Sequence, residues 1–157
     1  MSAVKWIRKK SRLSKLISEP GGTTIGRALA DAAKGLEPFR AESLASVGEA
    51  IAALESKAAA PELSQDSLDE IYDLSAAINK AAGPFELNDI CRAAFSLCDL
   101  ADKLKGLNKF MIEPVRVHTH TLRLLFSNPD LPADAKEQLL SGLDRVLKRI
   151  PASAASD

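Results

Sequence analysis

At 157 residues, with 21 Lys plus Arg against 21 Asp plus Glu, the chain is sized for one ordinary core and carries no overall basic field to collect nucleic acid. Apolar residues make up 46% and aromatic residues only 4%. The core must therefore be aliphatic, and a balance rich in Ala and Leu but poor in Val, Thr, Tyr and Trp favours helix over sheet.

The first twenty residues stand apart. Lys5, Arg8, Lys9, Lys10, Arg12 and Lys15 face a single acid, Glu19, so this stretch is +5 and the remainder −5. Trp6, Ile7, Leu13, Leu16 and Ile17 are interleaved, and Pro20-Gly21-Gly22 closes the segment. It reads as a basic amphipathic arm over 1–22 that would lie on an anionic membrane surface or dock on a partner. The plainer reading is a solvated tail, or a helix packed through Trp6. Thr23 or Thr24 then caps a short helix through Ala28, Leu29 and Ala32 to Gly35.

Pro38 suits the first turn of the next helix, which carries Leu44, Val47, Ile51 and Leu54 on one stripe. Pro61 ends it. Ser64 or Asp66 starts another, with Leu68, Ile71, Leu74 or Ser75, Ile78 and Ala82 facing the core, and Gly83-Pro84 breaks it. Leu87, Ile90, Cys91, Ala94, Leu97, Cys98, Ala101 and Leu104 form the most regular helix, ended by Gly106. A further helix follows Pro114, with Val115, His118, Leu122 and Leu125 on one side and Val117, Thr121 and Leu124 beside them. Asn128-Pro129 and Pro132 make the turn. Leu139, Leu140, Leu143, Val146, Leu147 and Ile150 give the last helix, and 151–157 reads as a disordered tail. Amphipathic helices joined by short loops predict an all-α fold over 23–150, an antiparallel four- or five-helix bundle.

Candidate chemistry is sparse. Cys91 and Cys98 lie two helical turns apart, about 10 Å of rise, too far for a disulfide; they read as buried thiols. His118 and His120 fall on different sides of a helix and cannot share a metal by i, i+4 spacing. His118 sits on the apolar stripe and reads as a core or boundary histidine, His120 as a surface one. The acids Asp66, Asp69, Glu70 and Asp73 gather near a helix start, where the dipole favours them. No nucleophile elbow and no phosphate loop is present. The expectation is no enzyme, no metal and no cofactor. No apolar run follows the basic start as in a secretory signal. No stretch approaches the roughly 20 apolar residues of a membrane span, so the expected location is cytoplasmic.

The run from Leu68 through the Ala81-Ala82-Gly83-Pro84-Phe85-Glu86-Leu87 turn, with the helix following it, resembles the central hairpin of histidine-phosphotransfer (HPt) domains. In that family a helix carries a phosphoacceptor histidine, then a lysine and a small residue one turn on. An Ala/Ser-Ala-Gly-x-Phe-Gly-Leu-like turn and a second amphipathic helix come next. Ala81, Ala82, Gly83, Phe85 and Leu87 match the turn. The resemblance covers about 110 residues in helix order but only about 30 in motif. Counted back from the turn, the phosphoacceptor position holds Ala76, the lysine position Asn79 and the small-residue position Lys80. Alanine has no nitrogen to carry a phosphoryl group.

The resemblance thus implies an HPt-like adaptor or regulator in bacterial two-component or chemotaxis-type signalling. It would bind a receiver domain or a histidine kinase without phosphotransfer, through the face of Asp69, Asp73, Ala76, Asn79 and Lys80. The plain reading of that face is a solvated helix surface. The competing expectation is a helical interaction module unrelated to phosphorelay, reaching a membrane surface or a complex through Lys5, Trp6, Arg8, Lys9, Lys10, Arg12 and Lys15. A third is phosphoacceptance moved to His118 or His120. An uncovered apolar bundle face could also make a homodimer.

Overall fold

The computed structural model describes residues 21–151, so the expectations for residues 1–20 and for the tail beyond 151 lie outside the described residues. The chain divides into two units, Met1–Glu37 and Pro38–Asp157, whereas the sequence reading drew the division after Gly22. The first unit contributes α1, Ile25–Leu36. Thr24 is its cap, with Oγ1 accepting the Arg27 N–H at 3.3 Å, which decides between the two threonines. None of the residues of α1 is buried.

The second unit follows the 3-10 turn Glu37–Phe39 with α2 (Arg40–Ala58), α3 (Gln65–Ala82), a 3-10 turn Gly83–Phe85, α4 (Asn88–Gly106), α5 (Ile112–Ser127) and α6 (Ala133–Arg149). No strand occurs among the described residues, as an Ala/Leu-rich composition implies. Helix α2 packs on α3, α3 on α4, α4 on α5, and α5 back on α2. Four helices thereby close around one core, and α6 lies against α4 and α5. The core is largely the aliphatic set the periodicity marks: Val47, Ile51, Leu54, Leu68, Ile71, Ile78, Leu97, Leu104, Val115 and Leu122 are wholly buried, joined by Leu100, which lies off the marked stripe.

Several local expectations are corrected. Pro38 lies in the 3-10 turn, and α2 begins at Arg40. Helix α5 starts at Ile112, two residues before Pro114; proline is tolerated there because first-turn N–H groups have no intrahelical acceptor. Ser64, not Asp66, caps α3, its Oγ accepting the Ser67 N–H at 3.1 Å. Between Leu74 and Ser75, the serine takes the buried position, because its Oγ donates to the Ile71 carbonyl at 2.7 Å and so leaves no orphan polar atom. Thr121 is buried with the α5 core stripe, while Val117 and Leu124 beside it face outward.

The turn after α3 closes in a specific way. The Leu87 N–H donates to Ala82 O at 3.4 Å and the Glu86 N–H to Gly83 O at 3.1 Å, with Glu86 left-handed at φ 57°. This is a Schellman closure, which satisfies the last carbonyls of a helix and places its left-handed residue at the position just past the end. Helix α4 ends the same way: Lys109 N–H donates to Leu104 O and Asn108 N–H to Lys105 O, both at 3.0 Å, with Asn108 at φ 50°.

Ion pairs join the helices at the surface. Lys57 meets Glu70, Lys105 meets Asp69 at 2.7 Å, Arg123 meets Glu55 and Arg92 meets Glu137 at 2.7 Å. All are partly or fully solvated, so they add little to stability and serve register instead.

Candidate functional site

The residues marked as a partner face on α3 do not share one environment. Asp69 is engaged by Lys105 at 2.7 Å, and the same ammonium stands 5.2 Å over the Tyr72 ring; this acid is a brace between α3 and α4. Asp73 and Lys80 are exposed, and Ala76 is half-buried. Asn79, also half-buried, donates from Nδ2 to Ser75 O at 3.3 Å and reaches the edge of a groove.

That groove, about 500 Å³ in volume, runs between α4 and α6 with Asn79 of α3 at its side. Cys91, Phe95, Ser96 and Asp99 of α4 and Leu140, Leu143, Asp144 and Leu147 of α6 line it. Phe95 and the three leucines give it apolar walls, and Asp99, Asp144 and Arg92 carry its charge. Arg92, at one side, forks onto Glu137 at 2.7 and 3.2 Å, a bidentate clasp between α4 and α6. The hydrogen bond to Arg92 holds the Glu137 carboxyl below its ordinary pKa. Phe95 stands in this groove 63% exposed, the most exposed of three phenylalanines on the surface beside Phe39 and Phe110. Reading for core stripes passed over Phe95, because it falls off the stripe of α4. That misplacement, a large aromatic at a position facing away from the core, was the signal available.

Beneath the groove lies a buried polar contact that periodicity could not show. Ser96 Oγ is 3.0 Å from His118 Nε2, and His118 Nδ1 is 2.8 Å from Pro114 O. A carbonyl only accepts, so Nδ1 carries the proton and Nε2 accepts from the serine hydroxyl. Burial pushes the His118 pKa below its ordinary value, so the ring is neutral near pH 7. Serine and base are in contact, but the backbone N–H groups flanking Ser96 are spent inside α4 and cannot form an oxyanion hole. His118 is also wholly buried with both nitrogens engaged. No nitrogen lone pair of His118, the alternative phosphoacceptor, reaches the surface.

His120 differs. It is exposed, and its Nδ1 donates to Arg116 O at 3.2 Å, which leaves the Nε2 lone pair free of that bond. Around it, a shallower hollow of about 280 Å³ is lined by Glu55, Arg116 and Thr119. Its charged residues are occupied, however: Arg116 donates to Ala58 O at 2.8 Å and to Glu113 at 2.7 Å, and Glu55 pairs with Arg123.

The two thiols are apart and free. Cys98 is buried, with its pKa pushed up to about 11 mainly by burial. Half-buried Cys91 is also raised by desolvation. Neither is a thiolate near neutral pH. Among the described residues, no three His, Cys, Asp or Glu side chains are grouped to hold a metal ion. No helix there is long and apolar enough to cross a membrane.

No family model, no curated protein and no solved structure matches the chain.

Proposed function

We propose that this chain is a non-enzymatic, HPt-like adaptor in bacterial two-component or chemotaxis-type signalling, working in the cytoplasm and holding a receiver domain or histidine kinase on the α3–α4–α6 side of its bundle. The observation that carries this reading is Phe95. An aromatic ring 63% exposed within an apolar groove is the anchor arrangement that protein partners bury. Asn79, at the position where the resembled family has its lysine, lines the same groove. Asp73 and Lys80, exposed on α3, give a polar rim.

The hairpin turn supports the resemblance from the backbone. In the family's turn a glycine follows the phenylalanine; here Glu86 follows Phe85 and takes the left-handed conformation that glycine supplies most easily. The absence of a nucleophile at Ala76 makes the role docking, not relay.

The test is titration of the full chain with a panel of receiver domains, phosphorylated and not, following both complex formation and phosphate transfer. Saturable binding without transfer is expected, weakened about tenfold or more by Phe95→Ala and reduced by Asn79→Asp and Lys80→Glu. Binding untouched by Phe95→Ala would remove the groove from the proposal. Phosphate transfer abolished by His120→Ala would mean that the chemistry has moved to α5 and that the non-enzymatic role is wrong.

A further inference from the structure

Helix α1 folds with one strongly apolar side. Ile25, Leu29, Ala32 and Leu36 recur at intervals of four, three and four, which places them on one stripe. Arg27, Asp31 and Lys34 occupy the opposite side. The stripe is not spent on a core: Ile25 is 81% exposed, Leu29 66% and Leu36 39%. A capped, amphipathic helix with its apolar stripe in water needs a surface to lie on.

The charge around it says which surface. Through Glu37 the chain carries eight cations, Lys5, Arg8, Lys9, Lys10, Arg12, Lys15, Arg27 and Lys34, against Glu19, Asp31 and Glu37. The first unit is thus +5, and the second, from Pro38 on, −5. The two units are oppositely charged, and only the first is attracted to an anionic plane. Trp6 lies among the cations, a residue suited to the boundary between headgroups and acyl chains. Attraction by scattered lysines and arginines is delocalised and adds up by count, which suits a lipid surface better than a shaped protein groove.

We infer that α1, with the basic stretch preceding it, is a reversible anchor on anionic bilayers. The apolar stripe enters the headgroup boundary, Arg27 and Lys34 stay at the polar side, and the acidic second unit is held off the surface by its own charge. Three large apolar side chains on a helix of twelve residues are too few to bind without the charge, so the anchor is sensitive to salt and to lipid composition. This inference stands apart from receiver docking, which uses other residues, and either can fail alone.

Co-sedimentation of the full chain with vesicles tests it. Binding is expected to phosphatidylcholine vesicles carrying roughly 30% phosphatidylserine at low salt, with loss at about 0.5 M NaCl and no binding to pure phosphatidylcholine. Leu29→Asp should weaken binding about tenfold or more while the melting curve stays in place, because the side chain is already exposed. The pair Lys9→Glu with Lys10→Glu should weaken it as well. No sedimentation at low salt, equal binding to neutral vesicles, or binding undiminished by Leu29→Asp would each overturn the inference.

Discussion

At the scale of single residues, the two left-handed positions make a controlled comparison. Asn108 and Glu86 close α4 and α3 with the same pair of backbone hydrogen bonds. Asparagine tolerates that conformation through its short polar side chain, whereas glutamate carries the full Cβ penalty. Glu86→Gly removes the penalty but loosens the unfolded chain, so a net gain of about 0.5–1 kcal/mol is expected, seen as a melting temperature higher by roughly 2–4 °C. A fall in melting temperature would mean that the Glu86 side chain, which lines a second hollow with Arg40 and Lys136, holds the hairpin by contacts that outweigh its backbone. Thr119 is a different kind of residue-scale feature: its Oγ1 is buried without a hydrogen-bond partner among the described residues. Nothing in the structure explains it.

At the scale of elements, the Ser96–His118 contact is a polar weld between α4 and α5 within an otherwise aliphatic packing. Burial lowers the His118 pKa in the fold, while the unfolded ring keeps a value near 6.5. As pH falls, the unfolded chain therefore takes up this proton first. Stability is full above about 6.5, declines below it, and levels off once pH has passed the folded value. One proton sets the ceiling of the slope in that window at about 1.4 kcal/mol per pH unit. Denaturant titrations at a series of pH values should show this loss in the wild type and a flatter profile in His118→Gln, which can hydrogen-bond both partners without titrating. Glu55 is held below its ordinary pKa chiefly by the hydrogen bond from Arg123. Its stabilisation is lost only in a more acidic window, below the ordinary value of 4.5, so the two effects separate. Equal profiles in both proteins would show that the His118 proton is taken up as readily in the fold as out of it.

At the scale of the molecule, one core cluster runs through all five helices of the second unit, from Val47 on α2 to Leu143 on α6 and Ile150 just past its end. Few of these helices would hold alone in water, since short helices are marginal without packing. The second unit is therefore expected to unfold as one cooperative transition, with a calorimetric enthalpy equal to the van't Hoff value. A ratio well above one would mean that α6, which packs mainly on α4 and α5, melts separately from the four-helix ring. The segregated charge of the chain belongs to this scale too. A molecule with zero net charge offers no overall field, yet its two units carry +5 and −5.

Much of this was legible in one dimension. The helix count of the bundle, the stripes through Val47, Ile71, Leu97 and Leu122, the breaks at Gly83-Pro84 and Gly106, and the burial of His118 all follow from local rules. Apolar spacing of three and four, capping chemistry and the exclusion of helix before proline act within a few residues of each other. The charge of the first unit is likewise a property of sequence alone. Three-dimensional packing decided the rest. Phe95 became a groove residue only when α6 settled against α4, and Ser96 found His118 across 22 positions of chain. Asp69, a candidate for partner contact by its place on α3, was claimed by Lys105 from 36 residues away. Helix α1 has the same amphipathic grammar as the buried helices, yet its stripe stays in water. Periodicity specifies that a face is apolar. Which neighbour, if any, covers it depends on contacts between segments distant in the chain, and these exist only once the helices have packed.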